Sequence, residues 1–205
     1  FSYARVAGVY PSTSGANRIL MTAIPTSRQL AIVQRAASLI DGGCVVIDFE
    51  TTGFPSDPRV GIVEVAAIDS RGSVLINTLV NPESAIPAGA SKVHGITDQD
   101  VANAPTFADI FPDLARILEN SRAVAYNYTF EKGMIAAVCK RYELCAPPLE
   151  WSCAMRAYSV YKGLRYFKSL SNACKDEGIT VETAHRALAD VKMTLALLYT
   201  MAAGG

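Results

Sequence analysis

The chain has 205 residues, half of them apolar, and its 19 lysines and arginines balance 19 aspartates and glutamates. That size and apolar share suffice for a full core in one domain and exclude a disordered chain. The zero net charge excludes only a protein that holds nucleic acid by bulk positive potential; local phosphate binding stays open. The cysteines Cys44, Cys139, Cys145, Cys153 and Cys174 form no C-x-x-C pair, and their odd number does not suggest a disulfide framework or a zinc ribbon. They read as reduced core thiols of a cytoplasmic protein. No apolar run approaches the roughly eighteen residues of a membrane span.

Residues 1–25, rich in Ser, Gly, Pro and Ala and starting without Met, read as an arm or linker of a trimmed piece, with Met21 a candidate internal start. A leading helix is expected over 26–42. Its apolar spacing runs from Leu30 to Ile40, Thr26 or Ser27 caps it, and Asp41-Gly42-Gly43 ends it. The period then changes. Cys44 to Phe49 is a short β-branched apolar run, a buried strand. Val60–Ile68 and Gly72–Val80 follow as strands, and Asp69-Ser70-Arg71-Gly72 between them predicts a hairpin. Asn81–Pro87 reads as a loop. Helical spacing returns over Phe107–Leu118, where Thr106 is a cap and Pro112 marks either a kink or a late start. Arg122–Tyr126 is a fourth strand, Thr129–Tyr142 a helix, and Leu149–Ser152 a fifth, short strand. Leu170–Glu177 is a helix stopped by Gly178, and the last helix runs from about His185 to Met201. Its expected apolar face is Leu188, Val191, Leu195, Leu198 and Tyr199. The fold class is α/β: a mixed, mostly buried sheet flanked by helices, within a domain spanning 43–203.

Asp48 and Glu50 stand two apart at the end of the most hydrophobic strand, so their side chains share a face. Two buried carboxylates repel each other, and a hard divalent cation relieves that repulsion. The spacing alone also fits a solvated pair at a strand end. Thr51-Thr52-Gly53, directly after them, is a turn able to bring backbone N–H groups to a ligand. Asn127-Tyr128-Thr129-Phe130-Glu131 opens a helix after a strand, where an acid also serves simply to complement the helix dipole. His185 and Asp190 are five apart. On a continuous helix they would diverge by about 140°, so they converge only if His185 sits at or before the helix start.

Taken together, the segments VVIDFETTG, VHGIT, AYNYTFE and AHRALAD resemble the DEDDh exonucleases over about residues 43–201. The likeness is to the bacterial branch that includes the proofreading epsilon subunit of the replicative polymerase. The resemblance implies an RNase H-like fold with a five-stranded sheet, and 3'-to-5' release of mononucleotides. It implies metal-binding acids at Asp48, Glu50, Glu131 and Asp190, with His185 as general base. Glu131 departs from the family's usual aspartate. The extra methylene moves its carboxylate by about one bond length, which bears on metal binding, although viral RNA proofreading nucleases of the family also carry glutamate there. Arg186 occupies the place where the sister branch has its tyrosine.

The chemistry of the residues agrees. Four acids suit two Mg²⁺ or Mn²⁺ ions, and an imidazole suits proton removal from water near neutral pH. Thr51, Thr52, Gly53 and Phe54 suit contact with the terminal nucleotide, by backbone groups and ring stacking. Asn127 suits orienting the acids or the substrate, and His94 reads as a structural or substrate-loop residue. Glu64, inside the second strand, reads as a structurally satisfied acid. From Trp151 to Lys168 bases alternate with aromatics, which fits either a path for single-stranded substrate or an amphipathic helix with a snorkelling rim. The leading expectation is an exonuclease on single-stranded or frayed DNA ends. An RNA 3'-end trimmer is the alternative, and a silent domain that binds ends or a polymerase is the third reading.

Overall fold

A computed structural model describes residues 25–181 and 185–204; the arm expected over 1–25 lies outside them except for Pro25. Helix α1 (Ser27–Asp41) starts with a capping box. Thr26 accepts the Gln29 N–H at 3.2 Å and Gln29 Oε1 accepts the Thr26 N–H at 2.8 Å. Strand β1 (Cys44–Thr51) follows, then the hairpin β2 (Ile62–Asp69) and β3 (Val74–Leu79). Asp69 Oδ1 accepts the Arg71 and Ser73 N–H groups in the hairpin turn, and Gly72 supplies the positive φ of 86° that the turn requires. Two short helices, α2 (Ala88–His94) and α3 (Asp98–Val101), precede α4 (Phe107–Leu118). Then come β4 (Arg122–Ala125), α5 (Tyr128–Arg141), β5 (Glu150–Cys153), α6 (Ala154–Tyr161), α7 (Leu170–Asp176) and α8 (Ala187–Ala203).

The sheet order is β3-β2-β1-β4-β5. Strands β1, β4 and β5 run parallel, and β2 is antiparallel to both β1 and β3. This is the mixed five-stranded, RNase H-like sheet that the sequence led us to expect, flanked by helices on both faces. Alternation along β1 divides the core. Cys44 and Val46 face a cluster with α1, α6, α7 and α8, whereas Val45, Ile47 and Phe49 face α4 and α5. Helix α1 belongs to the first cluster, placing Ala36 and Leu39 against the sheet and α8.

Several expectations need correction. Asn81–Pro87 holds no helix or strand, as expected, but α2 and α3 follow where no element was expected, and His94, read as a loop residue, ends α2 ahead of Gly95, whose φ is 75°. Helix α4 runs through Pro112 from Phe107, so there is no late start. Helix α8 is buried on nearly all sides, including Met193, Leu197 and Met201, and is not a one-striped helix. Tyr199 is 46% exposed and donates its hydroxyl to the Ser70 carbonyl at 2.9 Å. All five thiols are free, but only Cys44, Cys139 and Cys174 are buried; Cys153 is half-buried and Cys145 exposed. No helix among the described residues is long and apolar enough to cross a membrane.

Because Leu39 is 5% exposed against α8, Leu39→Ala should cost about 2–4 kcal/mol. We expect urea unfolding to shift in midpoint while remaining one transition. A separate early transition would show that α1 is not part of the cooperative unit.

Candidate active site

The even-numbered face of β1 carries Asp48 and Glu50 beyond Val46, and α8 covers that face. Asp190 lies in the first turn of α8. One carboxylate oxygen from each of Asp48, Glu50 and Asp190 lies within 4.8 Å of the other two. Parallel β4 neighbours β1 and delivers the next helix to the same end of the sheet, so Glu131, in the first turn of α5, comes up beside the trio. Glu131 stands outside the 4.8 Å group, but its charge raises the Asp48 carboxyl, and Glu50 in turn raises that of Glu131. Gly133 of α5 packs against Pro55, where a Cβ would come within 3.0 Å of the ring, so the helix sits close on the turn after β1.

These acids are destabilised as anions. Burial raises the Asp48 carboxyl well above its ordinary range, and Glu131, Asp190 and Glu50 raise it further. Burial, followed by Asp190 and Glu64, pushes Glu50 up to about 8. Burial first and Glu50 second push Glu131 up to about 8. Asp190 is raised by burial, against a lowering influence from His185. Glu131 Oε2 and Asp190 Oδ1 are buried with no hydrogen-bond partner. Carboxyl oxygens converging from β1, α5 and α8, two of them unpartnered, are a donor set for a hard divalent cation, and the all-oxygen chemistry favours Mg²⁺, Mn²⁺ or Ca²⁺ over zinc.

His185 stands just before α8, exposed, with a φ of 64° that a non-glycine residue rarely adopts. It therefore meets the condition under which His185 and Asp190 can face one site. A clamp from β2 fixes this entry. Glu64, 4% exposed, accepts Arg186 Nη2 at 2.7 Å and Arg186 Nε at 3.1 and 3.2 Å. It also accepts the Ala187 N–H, the first of α8, at 2.9 Å. Glu64 is thus a structurally satisfied acid, as expected, and its partner is the residue after the histidine. Arg186 was noted in the sequence only for what it is not. The signal that points to it is the buried strand carboxylate itself, which requires a cation.

The remaining candidates apart from Asn127 line one groove of about 470 Å³ beside Glu50. Its walls include Thr51, Thr52, Gly53, Phe54 and His94. Thr51 Oγ1 donates to the Gly53 carbonyl at 2.8 Å, and Thr52 exchanges two 2.9 Å bonds with Gly61, which stiffens the turn. Phe54 is 73% exposed and meets Phe130 edge to face at 6.4 Å. His94 is buried; its Nδ1 accepts the Ile96 N–H at 3.0 Å, which leaves the ring proton on Nε2, an atom without a partner. Burial lowers the His94 pKa and keeps the ring neutral. Asn127 is exposed at the start of α5 and makes no side-chain capping bond.

The family model described as Exonuclease (RNase_T) matches residues 45–198. The uncharacterized exonuclease CP81 of Escherichia phage 186 is 40% identical over 188 residues, 85% of this chain and 95% of its own length. DNA polymerase III subunit epsilon of Treponema pallidum (strain Nichols) is 34% identical over 163 residues, 76% of this chain and 74% of its own. Among solved structures, exonuclease X in complex with 5' overhanging duplex DNA is 30% identical with a TM-score of 0.60, covering 77% of this chain and 90% of that one.

The clamp yields a test. Glu64→Ala frees the entry to α8 and should lower kcat about 10- to 100-fold, the scale of an ångström-sized misplacement. KM and the far-UV spectrum should stay near wild type. Unchanged turnover would remove Glu64 from any positioning role.

Proposed function

We propose, from the premise that this chain belongs to the exonuclease (RNase_T) family and is of the DEDDh type, that it releases nucleoside monophosphates from 3' ends of single-stranded or frayed DNA. The observation that carries this reading is the convergence of Asp48, Glu50 and Asp190 within 4.8 Å. Asp48, Glu50, Glu131 and Asp190 hold the metal. Two divalent ions bound there, Mg²⁺ or Mn²⁺, would supply the positive charge that stabilises the attacking and leaving oxygens of an in-line displacement.

His185 acts as general base, taking a proton from the attacking water through an unprotonated imidazole nitrogen. Its exposure at the mouth of the acid cluster and its fixed, strained backbone support that assignment. The groove beside Glu50 takes the terminal nucleotide. Phe54 offers a ring for the base, the Thr51-Thr52-Gly53 turn offers backbone groups, and His94 offers its unused Nε2–H. Asn127, exposed at the start of α5 next to Glu131, is a further substrate contact. The relatives' names favour DNA over RNA: one is a DNA polymerase subunit and one is seen on duplex DNA. The likeness to an epsilon subunit supports a polymerase or another nucleic-acid-processing protein as a partner. The five free thiols fit a reducing, cytoplasmic compartment.

Labelled single-stranded DNA, duplex DNA and RNA, each with Mg²⁺, Mn²⁺ or EDTA, test the reading. We expect ladders that shorten from the 3' end of DNA only with metal; faster RNA shortening would select the RNA trimmer. His185→Ala should lower kcat about 10²- to 10⁴-fold with strand binding retained, and wild-type turnover in that variant would reject the base assignment.

Metal binding has its own readout, independent of turnover. An ion at roughly 100 times its dissociation constant stabilises the fold by about 2.7 kcal/mol, or about 5–10 °C for a domain of this size. Mn²⁺ should raise the melting temperature by that order, EDTA should reverse the rise, and Asp190→Asn should abolish it.

A further inference from the structure

The stretch from Trp151 to Lys168, which the sequence left open between a strand path and an amphipathic helix, divides in the structure. Tyr158 is core: it is fully buried, and its hydroxyl donates to Glu177 at 2.6 Å. Two of the bases are spent on carboxylates. Lys162 pairs with Glu177 at 2.9 Å and Lys168 pairs with Asp176. What is left over is ordered in space. Arg156 lies over the Tyr128 ring at 5.3 Å, and Tyr128 in turn stacks obliquely on Trp151 at 6.4 Å. Arg165 is exposed, and after it Tyr166 and Phe167, adjacent in the chain, are 61% and 58% exposed.

Two adjacent large rings this exposed call for an explanation, because the loop that bears them is pinned rather than loose. Ser159 Oγ donates to the Tyr166 carbonyl at 3.1 Å, the Leu164 N–H donates to the Ser159 carbonyl at 2.8 Å, and the Tyr126 hydroxyl donates to the Lys168 carbonyl at 2.6 Å. The backbone is held on both sides of the rings while the rings themselves stay in water. Such an arrangement loses little conformational freedom on binding a planar partner.

The same bonds tie the rings to the acid cluster. Tyr128 opens the helix whose first turn carries Glu131. Arg156 covers Tyr128, and Ser159, about one turn further along α6, holds Tyr166. The surface is therefore continuous from the start of α5 outward along α6 to Phe167. Three cations border it without a carboxylate partner among the described residues: Lys132, one turn beyond Tyr128 on α5, with Arg156 and Arg165. Unneutralised cations interleaved with exposed aromatic faces complement a strand with one phosphate and one base per residue.

We infer that Tyr128, Lys132, Arg156, Arg165, Tyr166 and Phe167 form a track for the single-stranded nucleic acid that trails behind the 3' end being cut. The inference rests on the nuclease reading above and deepens it. Phosphates pass the three cations, and two unpaired bases stack on Tyr166 and Phe167. Neither contact reads sequence, so the track serves any strand and adds affinity only for substrates long enough to reach it.

Two substrates of the full chain separate the track from the chemistry: a 5'-labelled oligo-dT of 20 nucleotides, and thymidine 5'-p-nitrophenyl phosphate, which has no strand to occupy the track. For the double variant Tyr166→Ala/Phe167→Ala, we expect kcat/KM on the 20-mer to fall at least 10-fold, the scale of lost base stacking. Hydrolysis of the small ester should stay within twofold of wild type. Arg156→Ala and Arg165→Ala should each weaken 20-mer binding and flatten its log–log salt dependence by about 0.7.

Equal rates on the 20-mer for wild type and the double variant would overturn the track and leave the patch to a protein partner. A parallel fall on both substrates would also overturn it, since the effect would then lie in the fold or the acid site. A wild-type chain inert on both substrates with Mg²⁺ and Mn²⁺ would instead sink the nuclease reading itself.

Discussion

One buried carboxylate organises the end of the sheet where the acids gather. Glu64 is set in β2 opposite Glu50 of β1, and its two oxygens are shared between the Arg186 guanidinium and the first N–H of α8. The start of a helix carries unpaired N–H groups and a partial positive charge, so an anion there is stabilised twice, by hydrogen bonds and by the dipole. The bond also fixes where α8 begins, and with it where His185 and Asp190 fall. Without it, a residue at φ 64° would have little reason to stay there. Strain at His185 and satisfaction at Glu64 are two ends of one local arrangement, with Arg186 between them.

Around that anchor the sheet does the sorting. A period of two residues puts Asp48 and Glu50 on the side of α8, and puts Phe49 on the opposite side with α4 and α5. The parallel pairing of β1 with β4 then brings the start of α5 to the same end of the sheet. Three segments far apart in the chain thus deliver their carboxylates to one place, at the carboxyl ends of parallel strands, where α/β sheets generally open to ligands. The cluster is unfavourable by itself, since burial and mutual repulsion push its carboxyls up. The core beneath it offsets that cost: Val46, Val124 and Leu197 are fully buried.

Much of this was legible from residue order. The five strands and the long helices announce themselves because their apolar periods run for many residues and their caps are explicit, as at Thr26 and Thr106. Helices α2 and α3 were not legible. They have seven and four residues, too few for a helical period to build up, and each buries a single side chain. Helix α8 was read as striped because sequence shows hydrophobic identity and not which neighbours surround a helix; α1, α6, α7 and β1 all pack on it. At the site, the acids were legible through their motifs. The Glu64–Arg186 pair was not, because its partners stand 122 positions apart, and no local pattern links a strand acid to an arginine in another segment.

The zero net charge acquires a different meaning once the charges are located. At least four of the 19 acids crowd one end of the sheet, and Glu64, Asp176 and Glu177 are occupied by Arg186, Lys168 and Lys162. Cations without such partners lie along α5, α6 and the loop after it. An anionic strand approaching this chain therefore meets attraction on one flank and repulsion at the acids, and the repulsion lasts until the carboxylates are neutralised. Since surface potentials act over about 8–10 Å at physiological salt, the average over the whole chain is invisible to the strand; the local contrast is what it encounters. A neutral protein is in this way compatible with a polyanionic substrate. A divalent metal held by the acids would supply charge where bonds are to be broken, and the fold keeps its own free cations where a strand is only to be held.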